Sequence, residues 1–178
     1  MRRLRPYGLI AEFTGPDELL RAAKTAYDTG YRRMDAYSPL PVHGLAQALG
    51  FRRTRVPLIV LIGGLVGGVG GFSLQYWISA VSYPVNVGGR PYNSWPSFVP
   101  VTFELTILIA AFAALLGMLV LNGLPMPYHP VFNVERFALA TRDRFFLCIE
   151  AIDPKFDRQR TRDFLESLQP SMVSLVEQ

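Results

Sequence analysis

The sequence contains a single cysteine and little charge for its length. Cys148 is the only cysteine among 178 residues, so the chain can form no disulfide within itself. It also cannot assemble a zinc or iron–sulfur site from cysteines. Charged residues make up 18% of the sequence, whereas soluble domains carry about 25%. The deficit indicates that part of the chain lies out of contact with water.

Charge is almost absent from the middle of the sequence. Residues 56–134 contain only Arg90 and Glu104, while residues 1–55 carry ten Lys and Arg against five Asp and Glu. Residues 135–178 carry seven against eight, so the net charge of +4 comes from the N-terminal segment. These basic residues are interpreted as determinants of membrane topology and as contacts for anionic headgroups, rather than as a nucleic-acid site.

Two predominantly apolar stretches are long enough to cross a membrane, and Glu104 is the only charged residue in either of them. A helix needs about 20 apolar residues to span the ~30 Å hydrocarbon core, and residues 56–83 and 100–122 both meet this length. Burial inside a soluble domain is the alternative, but so short a chain could not cover two such helices. The sequence therefore predicts a transmembrane hairpin with residues 84–99 as its connecting outer loop.

The distribution of arginine predicts the orientation of this hairpin. Arg52, Arg53 and Arg55 directly precede the first span, whereas the loop contains only Arg90. Because cytoplasmic loops are enriched in Lys and Arg, both termini are predicted to lie in the cytoplasm. Aromatic residues cluster at the opposite end, where their rings favour the headgroup layer; they are Tyr76, Trp77, Tyr83, Tyr92 and Trp95.

The N-terminal flank, residues 1–55, has a strand–helix–strand pattern. A strand-like stretch at residues 7–13 is followed by a helix that begins at Thr14 or Gly15. Gly30 is a plausible end for this helix. Residues 32–37 then read as a second strand.

The C-terminal flank, residues 123–178, repeats the pattern. Residues 144–151 and 172–176 are predicted strands by their aromatic and branched content, and residues 157–168 form an amphipathic helix between them. Neither flank can bury its apolar face alone. We therefore expect the two to combine into one small α+β cytoplasmic domain of ferredoxin-like βαβ–βαβ type, split by the membrane hairpin.

Glycines at helical spacing mark the first span as a packing element. Gly63, Gly67 and Gly71 recur every four residues and flatten one side of the helix, which lets another helix approach closely. That helix is either the second span or part of a partner subunit. A merely flexible span is the alternative. A dinucleotide site is excluded because the glycines lie inside an apolar helix.

The outer loop and Glu104 are further candidates for partner contacts. The segment 83–100 holds four prolines and two glycines, which disfavour regular structure while limiting flexibility. Arg90, Trp95 and Phe98 are typical interface anchors. Glu104 is interpreted first as solvated near the membrane interface or paired with Arg90. The alternatives for Glu104 are contact with another subunit and a role in quinone or proton chemistry.

The remaining reactive residues have ordinary interpretations. His43 and His129 lie outside the spans, so neither can ligate a haem within the bilayer, and both are interpreted as polar loop residues. Cys148 is interpreted as a buried, inert thiol.

Several long strings resemble the small two-span D subunit of bacterial alternative complex III. They are residues 31–43 (YRRMDAYSPLPVH), 86–91 (NVGGRP), 94–104 (SWPSFVPVTFE), 123–133 (GLPMPYHPVFN) and 143–150 (DRFFLCIE). The resemblance covers nearly the whole chain.

The resemblance implies a respiratory quinol oxidoreductase of the bacterial inner membrane that reduces a periplasmic acceptor. It implies that haem c and iron–sulfur clusters belong to partner subunits, and that this subunit holds no cofactor and is not catalytic. Its partners would be polytopic quinol-binding subunits, a multihaem cytochrome and an iron–sulfur protein. Two other hypotheses remain: a free-standing two-span regulator or small homo-oligomeric channel, and a subunit that takes part in catalysis through Glu104.

Overall fold

The computed structural model describes residues 6–51 and 54–178. The chain divides into a sheet unit, formed by the described residues up to 51 together with Pro127–Gln178, and a hairpin unit of residues 54–126. Arg52 and Arg53, on which the predicted orientation partly depends, lie outside the described residues.

The described elements follow the expected order along the chain. They are β1 (Pro6–Phe13), α1 (Pro16–Thr29), β2 (Met34–Tyr37), the one-turn helix α2 (Leu45–Ala48), α3 (Val56–Trp77), α4 (Trp95–Leu121), β3 (Phe145–Glu150), α5 (Arg158–Ser167) and β4 (Met172–Glu177). A π-helical turn, Ile78–Ser82, extends α3. Two 3-10 turns, Pro130–Asn133 and Glu135–Thr141, precede β3; we call residues 130–141 the cover segment.

The four strands form one sheet in the order β2–β3–β1–β4, and each strand is antiparallel to its neighbours. The central strands β1 and β3 come from opposite flanks of the sequence, with Ile10 opposite Cys148. The two flanks therefore build a single sheet, as the strand–helix–strand patterns predict.

Alternation along β1 directs side chains to the two faces of the sheet. Leu9, Ala11 and Phe13 point to the face covered by α1 and α5, where Leu19 and Leu165 complete a fully buried core. α1 begins after Gly15, with Pro16 in its first turn, and ends at Gly30 in the left-handed conformation. Both ends agree with the sequence signals.

The cover segment occupies the other face of the sheet. Val131, Val134, Phe137 and Ala140 are buried there against residues of the central strands. Their spacing of three residues matches the 3-10 helix, which repeats every three residues. No element was predicted for this segment, so the second apolar layer is a finding of the structure.

The hairpin unit consists of α3 and α4, which are long and apolar enough to cross a membrane. The second helix begins at Trp95 rather than at residue 100, where the sequence placed its start. Pro96 lies in the first turn, where a proline needs no hydrogen-bond partner, and the helix continues through Pro100. Two of the four prolines in segment 83–100, Pro96 and Pro100, thus lie within α4.

Candidate functional site

The two flanks of the sheet unit are joined by a buried carboxylate on β1. Glu12 is 1% exposed and accepts hydrogen bonds from Nε and Nη2 of Arg136, both at 2.7 Å. Arg136 belongs to the cover segment, so this pair fixes the segment to the sheet. The guanidinium holds the pKa of Glu12 below its ordinary value, with Arg144 at 3.6 Å adding to the effect.

A second carboxylate joins the flanks at the opposite end of α1. Asp153 is buried and accepts from the backbone N–H groups of Arg32, Arg33 and Lys155 at 2.6, 2.7 and 2.8 Å. Burial raises the pKa of Asp153, but the three donors outweigh it and the pKa is lowered overall. Both carboxylates thus hold residues of the two flanks together.

His129 lies within a polar chain rather than in an exposed loop. Its Nδ1 accepts from the Val131 N–H at 3.4 Å, so Nε2 carries the proton and donates to the Tyr7 hydroxyl at 3.1 Å. That hydroxyl in turn donates to Glu150 at 3.3 Å. Burial and the nearby carboxylate raise the pKa of Tyr7. The interpretation of His129 as a polar loop residue missed this packing, whereas His43 is exposed.

A cavity of about 870 Å³ lies in the sheet unit, with His129 in its wall. Its wall is formed by the end of β2 and by the cover segment, and includes the rings of Tyr37, His129, Phe132 and Phe137. Tyr37 and Phe137 meet edge to face at 4.9 Å between centroids. The wall is mostly apolar, and within the described residues no group of three or more His, Cys, Asp or Glu could hold a metal ion.

In the hairpin unit, the predicted glycine face packs against α4. A Cβ atom at Gly63 would lie 2.5 Å from the Ala113 Cβ, and one at Gly67 would lie 2.6 Å from the Leu105 carbonyl oxygen. Gly71 is similarly close to the Leu105 side chain. All three glycines are buried. In this structure these three glycines contact the second span.

A polar contact also joins the two helices. The Gln75 side-chain amide lies 3.1 Å from the Phe98 carbonyl oxygen and 3.0 Å from the Thr102 hydroxyl. It reaches back to the Gly71 carbonyl at 3.2 Å. Because water is absent from the bilayer, a polar side chain on a membrane helix needs such a partner. Sequence reasoning overlooked Gln75, although it is the only amide side chain within α3 or α4.

The three predicted loop anchors have different environments. Phe98 is 5% exposed and meets Phe72 at 5.8 Å between centroids, so it belongs to the core of the hairpin. Arg90 donates to the hydroxyls of Ser94 and Ser97 and closes the connection locally. Trp95 and Arg90 are both exposed, so both keep a surface that a partner could contact.

Glu104 lies on the exposed surface of α4. The salt bridges of the described residues do not include a pair between Arg90 and Glu104. Since α4 has 27 residues starting at Trp95, it is about 40 Å long and Glu104 lies about 14 Å from its start. A ~30 Å hydrocarbon core centred on α4 would place Glu104 about 8 Å inside.

A bilayer centred in this way would hold Glu104 deeper than solvation by headgroups requires. The expectation that headgroups solvate Glu104 assumed a helix starting at residue 100, which would have left Glu104 about 6 Å from the start. A charged residue costs ~2.5–3.5 kcal/mol at the centre of a helix on insertion scales, and less towards its ends. Glu104 is the only acidic residue of the hairpin unit, and it forms no salt bridge with the described residues.

Together these features define a small membrane-hairpin protein whose two flanks close one antiparallel sheet. The family model described as "Alternative complex III, ActD subunit" matches residues 7–175, and the chain belongs to this family. The resemblance found in the sequence is thereby confirmed, and the chain is a membrane subunit of a multisubunit complex. No curated protein matches the chain.

Proposed function

We propose that the chain is a non-catalytic, cofactor-free subunit that supports the assembly of alternative complex III, a quinol oxidoreductase of the bacterial inner membrane. In this role its helices pack on a polytopic quinol-binding subunit, and the connection between them contacts periplasmic redox subunits. The sheet unit lies in the cytoplasm with both termini. Haem c and iron–sulfur clusters reside in the partner subunits.

The observation that carries this proposal is the exposed apolar connection between the helices. Tyr83, Val85 and Val87 are 74%, 64% and 72% exposed, although they stand in irregular chain after the helical span of α3. Contiguous exposed apolar residues of this kind mark contacts with proteins or with membranes. Trp95, at the start of α4, is exposed as well. A partner subunit would remove these side chains from water.

The fold of the sheet unit is proposed to be ferredoxin-like. The support is the strand order β2–β3–β1–β4, the antiparallel pairing of all neighbours, and the position of α1 and α5 on the same face. A cytoplasmic location for this unit is supported by Arg55, which precedes α3, and by the single Arg90 in the connection between the helices. A fluorescent protein fused to the C-terminus tests the location, since green fluorescent protein matures in the cytoplasm and stays dark after export.

Purification in a mild detergent tests the assembly role. An affinity-tagged chain expressed in its own host should recover the haem-bearing and polytopic subunits in constant ratio. Recovery of the chain alone, or only with copies of itself, would contradict the proposal and favour a free-standing regulator or a homo-oligomeric channel.

Two further measurements separate the cofactor and catalytic claims. The chain purified without its partners should show no haem absorption, and haem bands that copurify with it would refute the cofactor-free role. In the assembled complex, Glu104→Gln should leave quinol turnover per complex unchanged. A large loss of turnover in a fully assembled complex would instead indicate that Glu104 takes part in the reaction.

A further inference from the structure

Glu104 stands on a regular stripe of exposed side chains along α4. The stripe consists of Val101, Glu104, Leu108, Ala111, Leu115 and Met118, all of which are exposed. Their spacing of three and four residues alternates as in the seam of a left-handed helix pair. At about 100° per residue, this seam lies on the side of α4 away from the side chains that contact α3.

Among the described residues, Glu104 forms no salt bridge. Side chains three or four residues away share its face of the helix, and these are Pro100, Val101, Ile107 and Leu108. None of them carries a hydrogen-bond donor. Ionisable side chains within membrane-spanning segments almost always pair with one another or with backbone carbonyls, which points to a partner group on another subunit.

We infer that a transmembrane helix of another subunit packs along this seam and places a cationic side chain, Arg, Lys or His, opposite Glu104. The apolar members of the seam provide close packing, and the ion pair fixes the depth and the register of the two helices. The inference rests on the proposed function, because it requires a partner subunit. Beyond that function, it specifies which face of α4 contacts the partner and that the partner helix carries a cationic side chain.

The first test compares substitutions at Glu104 in the full chain. Tagged Glu104→Leu and Glu104→Arg are expected to recover about 3- to 20-fold less of the polytopic partner per tagged chain, which is the range measured for polar contacts between membrane helices. Glu104→Gln should lose less because its amide can still hydrogen-bond to a cationic group. Phe103→Leu, on another exposed face, is the matched control and should behave as the unmodified chain does.

Photo-crosslinking provides a readout that does not depend on the stability of a variant. The photoreactive residue p-benzoylphenylalanine is introduced at the position of Leu108 or Ala111 on the seam, and at that of Phe103 as the control. The two seam positions should crosslink to one helix of a polytopic subunit, and that helix should carry Arg, Lys or His at the depth of Glu104. The control should not crosslink to it.

The outcomes distinguish this inference from the proposed function. If the complex copurifies but Glu104→Leu recovers as much partner as the unmodified chain, the ion pair is refuted. Crosslinks from the seam to a helix without a cationic side chain, or to lipid alone, also refute it. If the unmodified chain recovers no partner at all, the proposed function itself fails.

Discussion

The glycine contact between α3 and α4 allows a quantitative prediction. In Gly67→Ala the new Cβ would lie 2.6 Å from the Leu105 carbonyl oxygen and 2.9 Å from the Thr106 Cα, whereas ordinary contacts begin at 3.4 Å. Both neighbours are backbone atoms of a helix and cannot rotate away. The helices must therefore separate locally by up to 0.8 Å.

This local separation weakens the contacts of the two helices around Gly67. A gap of 0.5–1 Å forfeits about a quarter to a half of the attraction of each contact, and overpacked sites typically cost about 1–3 kcal/mol. We expect Gly67→Ala to lower the free energy of unfolding of the hairpin by this amount. Gly70→Ala is the matched control on the same helix, because its Cβ meets nothing within 4 Å. It should show only the preference of a helix for alanine over glycine, a gain of about 0.5–1 kcal/mol.

Tryptophan fluorescence can follow this unfolding. The chain has two tryptophans, Trp77 and Trp95, and both lie in the hairpin unit. Titration of the protein in mild detergent with dodecyl sulfate should give a lower midpoint for Gly67→Ala than for Gly70→Ala. Gly71→Ala should fall between them, since its nearest neighbour is the flexible end of Leu105. Equal midpoints for Gly67→Ala and Gly70→Ala would refute close packing at Gly67.

Three further predictions concern polar and titratable groups. Gln75→Leu removes the contact between the helices and should lower the same unfolding free energy by about 0.6–1.7 kcal/mol; an unchanged midpoint would contradict it. The pKa of Glu12 is lowered in the fold, so its pairing stabilises the sheet above the ordinary carboxyl value of 4.5 and is lost as the pH falls through the lower folded value. Thermal midpoints from circular dichroism should therefore drop on acidification, and less so in Glu12→Gln. Burial raises the pKa of Cys148 to about 12, which leaves about 10³-fold less thiolate than in a free cysteine. Maleimide should therefore label Cys148 only after denaturation, and mass spectrometry would detect the label.

The sequence predicted elements whose signals are local. α1 has its proline, acidic residues and terminal glycine in the expected places, and Gly67 has the spacing that close helix packing requires. What the sequence could not provide was the identity of the helix that packs on the glycines. Both the second span and a foreign helix satisfy the same spacing, and only the coordinates of Leu105 and Thr106 distinguish them.

The cover segment was missed for a different physical reason. Side chains share one face of a helix or strand at periods of 3.6 and 2 residues, whereas Val131, Val134, Phe137 and Ala140 repeat every three. A period of three is typical of the 3-10 helix. Such helices usually extend over only three or four residues, so they leave little pattern in a sequence. Glu12 gave a related signal, because an acidic residue within an apolar strand requires a buried partner. Its partner, Arg136, lies 124 residues away in the sequence, beyond the reach of any local pattern.

The pairing of β2 with β3 explains why a hairpin can be inserted at this point of the sheet. Tyr37, at the end of β2, lies opposite Phe146, near the start of β3, so the chain leaves the sheet and returns to it at adjacent positions. A sheet can accept an insertion there without disturbing its register, because the ends to be joined are already close.

The same pairing requires β2 and β3 to lie on one side of the membrane. The chain between them must then cross an even number of times, and α3 and α4 meet this condition whichever way the hairpin is oriented. The distribution of arginine is needed only to decide which side of the membrane holds the sheet.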